Sequence, residues 1–191
     1  LTDRDSLSGV IRFTQSAIEA GIAPIIGINL QLNLTERQPV KREELPRVTI
    51  LAGSDGGYRN LLHLYRGITM RSADRTPIIT LDTLERFSQY STRLYLMHGP
   101  DSPVAASLAS GRKDRAYEIF MRLRPLFADH AIECVSHMVA GKGPRSTDLA
   151  ARMLAFARQY DIDAVLTNAV RMLRRSDGPV ADVLDSARKL L

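Results

Sequence analysis

A chain of 191 residues with 45% hydrophobic and 25% charged residues has room for one domain with a full core, too little for two, and the composition of a folded globular protein without a long low-complexity tract. Its single cysteine, Cys134, excludes an internal disulfide and suits a reducing, cytoplasmic setting, while no apolar run reaches the ~20 residues of a membrane span and no signal peptide is present. A net charge of +5 admits a polyanionic neighbour, but Lys and Arg are spread along the chain, so charge alone assigns no nucleic-acid surface.

Leu1-Thr2-Asp3-Arg4-Asp5 reads as the end of a strand spilling into a turn. A helix follows, capped by Ser6 or Ser8, with Val10, Ile11, Phe13, Ala17 and Ile18 on its apolar face, and Gly21 ends it. There is no initiator Met and no room for a strand before Leu1, so the expectation is a piece of a longer polypeptide. Ile22 to Asn33 is the next strand, with Pro24 near its start, and completes a right-handed βαβ unit. Thr35 to Leu45 is a polar, exposed connection. Arg47 to Ala52 is a short strand closed by the turn Gly53-Ser54-Asp55-Gly56-Gly57. The glycines suggest a phosphate loop, but the Lys-Ser/Thr ending of a Walker sequence is missing, and a tight turn with a helix cap is the simpler account. The helix it opens runs from about Tyr58 to Met70, with Leu61, Leu62, Leu64, Tyr65 and Ile68 toward the core.

Arg71 to Thr76 is a polar loop, and Leu81 to Tyr90 a short helix capped by Thr80 or Asp82. Arg93 to His98 forms a strand that turns at Gly99-Pro100. Ser102 to Ser110 and Lys113 to Phe127 make two helices, with Pro125 near the end of the second, where termination is tolerated. Ala131 to His137 is a strand, Ala140 to Pro144 a glycine-rich loop, and Thr147 opens a long amphipathic helix to Gln159. The apolar run Ala164 to Leu173 then reads as a buried strand of a parallel sheet. Arg174 to Pro179 is a loop and Val180 to Leu191 a final amphipathic helix. The alternation predicts an α/β fold with a largely parallel sheet, a barrel being the expected closure.

In such folds chemistry gathers at the C-terminal strand ends. Asp3, Asn29, His98, Glu133, His137 and Asn168 fall at or just past those ends. Carboxylate and imidazole converging there are the natural ligands of a multinuclear metal site. His63, in a helix, and His130, in a loop, are given packing or surface roles. The last strand offers Thr167, Asn168, Ala169 and Arg171 where carboxylate or imidazole would be expected.

Several stretches resemble a known family. Leu1-Thr2-Asp3-Arg4-Asp5-Ser6-Leu7-Ser8-Gly9 is similar to the Thr-Asp-His motif of the PHP domain, the polymerase-and-histidinol-phosphatase fold, and Gly21-Ile22-Ala23-Pro24-Ile25-Ile26-Gly27-Ile28-Asn29 to its Gly-Ile-x-Pro-Ile-x-Gly-x-Glu stretch. Gly57-Tyr58-Arg59-Asn60-Leu61 resembles a segment of the bacterial C-family DNA polymerases, the DNA polymerase III α subunits, that separates their PHP domains from free-standing phosphatases. Leu166-Thr167-Asn168-Ala169-Val170-Arg171 resembles the Ala-Thr-Asn-Asp-Val-His motif closing the family's metal site, and Val180 to Arg188 resembles the error-prone actinobacterial branch. The resemblance spans essentially the whole chain, residues 1–191 as one PHP domain. It implies a distorted (β/α)7-like barrel whose N-terminal strand and helix are absent from this sequence.

The resemblance also implies a site of up to three metals, held by a His-x-His pair ahead of this sequence, then Asp-His, Glu, further His and a closing Asp-x-His. Here Asp3 is kept, but Arg4 stands for the His, Asn29 for the Glu, Ala169 for the closing Asp and Arg171 for the closing His. His137 matches a ligand position and His98 lies near another. Guanidinium is charged at every accessible pH and has no lone pair for a metal. Arg4 and Arg171 therefore put fixed cations where metal would sit, able to neutralise Asp3 and its neighbours. No metal and no catalytic residue is expected, Asp3 and His137 being the residual candidates as ligands.

Three functions are open at this point. The first is a catalytically silent scaffold within a DNA polymerase, which would be a Mg-dependent nucleotidyltransferase for replication or error-prone repair synthesis. Its partners would be the remainder of that polypeptide, DNA through the parent enzyme, and other replisome subunits, in the bacterial cytoplasm and with no membrane. The second is a working Zn- or Mn-dependent phosphoesterase or 3′–5′ proofreading exonuclease. The third is a phosphate- or DNA-binding module built on Arg4, Arg171, Arg174 and Arg175.

Overall fold

Short apolar runs alternating with amphipathic stretches give, among the described residues of the computed structural model (1–35, 45–70, 77–170, 172 and 174–190), an ordered series of strands and helices. They are β1 (Thr2–Arg4), α1 (Val10–Glu19), β2 (Gly27–Asn33), β3 (Arg47–Ala52), α2 (Asp55–Thr69), β4 (Ile78–Thr80), α3 (Leu81–Arg86), β5 (Leu94–His98), α4 (Pro103–Ala109), α5 (Lys113–Leu123), β6 (Asp129–Val135), α6 (Thr147–Gln159), β7 (Asp163–Thr167) and α7 (Gly178–Leu190).

The strands form one sheet in the order β1-β2-β3-β5-β6-β7, with β4 paired to β2 beyond the reach of β1. The class is the mixed α/β, barrel-like one that the sequence implies. One departure matters for the site: β3 runs antiparallel to both β2 and β5, whereas β1, β2, β4, β5, β6 and β7 are mutually parallel. The N-terminal end of β3 therefore lies at the same sheet edge as the C-terminal ends of its neighbours.

Register assigns each residue to a face, because alternate side chains of a strand project to opposite sides. Ile28, Ile50 and Leu96 are paired across β2, β3 and β5, and His98 pairs with Ile132. This face carries the core, where Leu61, Leu64 and Ile68 of α2, Val104 of α4, Phe120 of α5 and Phe156 of α6 join the strand residues in one buried cluster. The opposite face carries Arg4, Asn29, Thr49 and Met97, again paired strand to strand.

Local chemistry explains most helix boundaries. The Gly53–Gly57 segment is a cap: the Ser54 hydroxyl accepts the Gly57 N–H at 3.1 Å, so α2 starts at Asp55, ahead of the expected Tyr58. Thr80 caps α3 in the same way, Ser102 caps α4 and Ser146 caps α6. Pro125 ends α5 in a single 3-10 turn, Arg124–Leu126. In α1 the cap residue is Gly9, not Ser6 or Ser8; those two hydroxyls bond to each other at 2.8 Å and leave the helix without a side-chain cap.

Other expectations are corrected. β4 was not anticipated, being only three residues long. Residues 22–26 are not strand, and β2 begins at Gly27. The stretch 81–90 splits into α3 and a 3-10 turn, Ser88–Arg93. Most consequential, β7 is not buried: its residues are exposed or half-exposed, with Leu166 at 79%. It ends the sheet path with a strand partner on one side only, and its apolar side chains stay largely uncovered among the described residues. Residues 36–44 of the expected connection, the expected loop Arg71–Thr76, Arg171 and Leu191 lie outside the described residues.

Candidate functional site

The predicted site residues do not converge as one set. Arg4, Asn29 and Glu133 share the face opposite the helices, but Asp3 pairs with Ile28 and so lies on the helix-covered face. Its carboxylate rests over Gly9, where an added Cβ would stand 2.8 Å from Oδ2. His98 is also on that face and wholly buried, its ring 5.5 Å from those of Phe120 and His130. His137 and Ala169 follow the ends of β6 and β7, and Arg171 lies outside the described residues.

What occupies the strand-end edge instead is a set of ion pairs organised by Arg47, the first residue of β3. Its Nε donates to Asn29 Oδ1 at 2.6 Å, and its terminal nitrogen donates to Asp5 Oδ1 at 2.6 Å and to the Asn29 carbonyl at 2.9 Å. Asn29 passes the interaction on, its amide donating to Thr49 Oγ1 at 2.9 Å. Asp5 is fixed independently: its N–H donates to the Asn29 carbonyl and its own carbonyl accepts from Tyr65. The backbone there has φ of 60°, a left-handed conformation that Asp tolerates better than most residues. The Arg47 side chain is only 11% exposed and that of Asp5 28%, so the pair is shielded far better than a surface bridge.

A second carboxylate, Asp101, sits between two guanidinium groups, Arg145 at 3.0 Å and Arg4 at 3.7 Å. Its carbonyl accepts the Arg47 N–H at 2.8 Å, joining the two pairs through the backbone. Glu133 Oε1 accepts from the Thr167 hydroxyl at 2.7 Å, and its other oxygen lies against Gly99. His137 is exposed, with Nε2 3.1 Å from the Asn168 carbonyl, which assigns the ring proton to that nitrogen. Ala169 has φ of 44°, a left-handed conformation unfavourable for a residue with a Cβ.

Multinuclear metal binding needs several carboxylates and imidazoles with lone pairs converging on a common point. Among the described residues no group of three or more His, Cys, Asp or Glu is so placed. Asp5 and Asp101 already face guanidinium, Asp3 and His98 are turned to the other face, and the Asn29 amide cannot replace a bridging carboxylate. Among the described residues the donor set does not fit the metal cluster that the family resemblance implies. Cys134 offers no alternative, since burial and the nearby Glu133 push its thiol pKa up, away from thiolate.

Sequence reasoning singled out Arg4 and Asn29 but missed Arg47, Asp5, Asp101 and Arg145. Arg47 was legible only as the start of a strand. Had β3 been recognised as antiparallel, its first residue would have been placed at the functional edge. Among the other cationic candidates, Arg174 is exposed, its N–H donating to the Asp177 carboxylate at 3.0 Å.

Comparison with known proteins gives a consistent picture. A family profile described as "PHP domain" matches residues 1–137. Over 189 residues the chain is 27% identical to the DNA polymerase III subunit alpha of Borreliella burgdorferi, covering 96% of this chain and 16% of that protein. It is 28% identical over 174 residues to the subunit alpha of Caulobacter vibrioides, covering 89% of this chain and 15% of that protein. A shorter match, 36% identical over 75 residues, covers 39% of this chain and 6% of an error-prone DNA polymerase of Corynebacterium efficiens. The chain thus spans about one sixth of the length of the first of these relatives.

Proposed function

The chain belongs to the PHP domain family, and from that premise we propose that it is the PHP domain of a C-family DNA polymerase polypeptide, with ion pairs rather than metal holding its strand ends together. It does not hydrolyse phosphate esters. Its role is to brace the remainder of that polypeptide, through which it meets DNA and other replisome components in the bacterial cytoplasm, with residues 1–191 acting as one unit. The similarity to an error-prone polymerase supports a damage-tolerant parent.

The observation carrying this reading is the Arg47 guanidinium bonded to Asn29 and Asp5 at the functional edge. Hydrolysis of a phosphate ester in such a domain would need metal to lower the pKa of bound water and to stabilise charge on phosphorus. Arg47 and Arg4 supply charge but bind no water as hydroxide, and Asn29 is no base. The scaffolding part draws support from uncovered apolar side chains on and after β7, Val165, Leu166 and Val170, and on α7, Val183 and Leu184. Exposed apolar side chains are what a docking face presents to a partner.

The test is hydrolysis of p-nitrophenyl phosphate and of a 3′-labelled oligonucleotide by the purified chain with added Mn or Zn. Rates at the buffer level are expected for both substrates. Turnover abolished by E133Q or H137A would overturn the reading, because it would locate catalysis at the strand ends.

A further inference from the structure

The Gly57-Tyr58-Arg59-Asn60-Leu61 segment lies in the first two turns of α2, and its residues divide between two environments. Leu61 is fully buried and Gly57 packs so closely on the Arg93 backbone that a Cβ would stand 2.6 Å from its carbonyl oxygen. Arg59 and Asn60 project outward, where with Gly56, His63, Tyr90 and Arg93 they line a surface cavity of about 360 Å³. That lies within the ~300–1,000 Å³ of typical ligand pockets. Because Ser54 already takes the Gly57 N–H, recognition here belongs to side chains rather than to a backbone phosphate loop.

Two features define the cavity chemically. The first is charge: no carboxylate lines it, and among the described residues neither the Arg59 nor the Arg93 side chain has an acidic partner. The Arg93 guanidinium lies so close to the first turn of α2 that a Cβ at Gly56 would collide with it. The second feature is a run of flat rings. His63 stacks on Tyr90 with centroids 4.8 Å apart and planes 16° from parallel, and Tyr90 lies 6.1 Å from Phe87. Phe87 is seated against Gly67, where a Cβ would clash with its ring. The run is thus anchored at Phe87 and ends in solvent at His63.

Paired guanidinium groups recognise phosphate oxygens, and exposed rings stack on nucleobases. We propose that this cavity binds a nucleotide unit, with its phosphate between Arg59 and Arg93, its base on His63 and Asn60 meeting the polar edge of base or sugar. The unit is either a free nucleotide or one residue of a single strand. The site is separate from the strand-end ion pairs, and the proposal stands whether or not that edge holds metal.

The experiment is fluorescence anisotropy of a labelled oligo(dT) with the purified chain, competed by dTMP, inorganic phosphate, unlabelled oligo(dT) and poly-glutamate. Variants are R59A/R93A, H63A and the control R115A on α5, each checked by circular dichroism. Binding is expected to weaken at least tenfold in R59A/R93A, roughly tenfold in H63A and less than twofold in R115A. If the double variant unfolds, R59A and R93A singly are each expected to weaken binding at least threefold. Competition by dTMP assigns a free nucleotide and competition by oligo(dT) alone assigns a strand. Absence of binding, an unchanged H63A, equal loss in R115A, or poly-glutamate competing as well as oligo(dT) overturns the proposal.

Discussion

His98 Nδ1 is a buried lone pair without a hydrogen-bond partner among the described residues, and the hydrogen bonds around it fix the protonation of two rings. His130 Nε2 faces the Arg124 carbonyl at 3.2 Å and so carries a proton; its Nδ1 then accepts from His98 Nε2, also at 3.2 Å. His98 is thereby a neutral tautomer with a bare Nδ1. Burial, with His130 adding to it, pushes its pKa down to about 3, and burial lowers that of His130 as well. Both lie below the value near 6.5 of an unfolded chain, so the unfolded state binds more protons as pH falls through that value. Stability is fully present above about pH 6.5 and is lost progressively below it, at up to ~1.4 kcal/mol per pH unit from His98 alone. Urea midpoints measured at pH 7.5, 6 and 5 are expected to fall, and to fall less steeply in H98L. Equal pH dependence in H98L and the parent chain would refute this account.

At the scale of elements, Arg47 matters because it joins three strands. Its guanidinium reaches Asn29 in β2 and Asp5 at the end of β1 from the first residue of β3. Removing it would leave Asp5 without its cation and the Asn29 amide oxygen without its donor, a loss of about 2–4 kcal/mol for partly buried polar groups. R47M, which keeps most of the apolar stem, is expected to lower the thermal midpoint by several degrees with its main effect on hydrogen-exchange protection in β1 and β2. An unchanged midpoint would mean that the pairs are ornamental. The elements themselves were largely legible. Thr147 to Gln159 is helix as expected because a cap, a 3.6-residue period and an end all agree. β7 misled because an apolar run signals strand but not which side of the sheet will be covered. The candidate site was harder still. Arg4 and Asn29 could be placed by motif, but Arg47 is 42 residues from Asp5 and Arg145 is 44 from Asp101, and no local pattern announces such pairings.

For the whole molecule, the question is what holds the strand ends in place. Arg4, Arg47 and Arg145 set against Asp5 and Asp101 give the edge permanent ion pairs with one cation in excess. Asp3, and His98 near another of the positions that the resemblance marks for metal, face the helices instead. Fixed cations of this kind cannot be removed by chelators and cannot activate water, which is what the proposed metal-free scaffold requires. The most direct measurement is metal content by plasma mass spectrometry after purification with added zinc and manganese and extensive dialysis, paired with thermal midpoints before and after EDTA. The account predicts far less than one ion per chain and midpoints that EDTA leaves unchanged. One or more tightly held ions per chain, lost together with stability on chelation or in H137A, would contradict it.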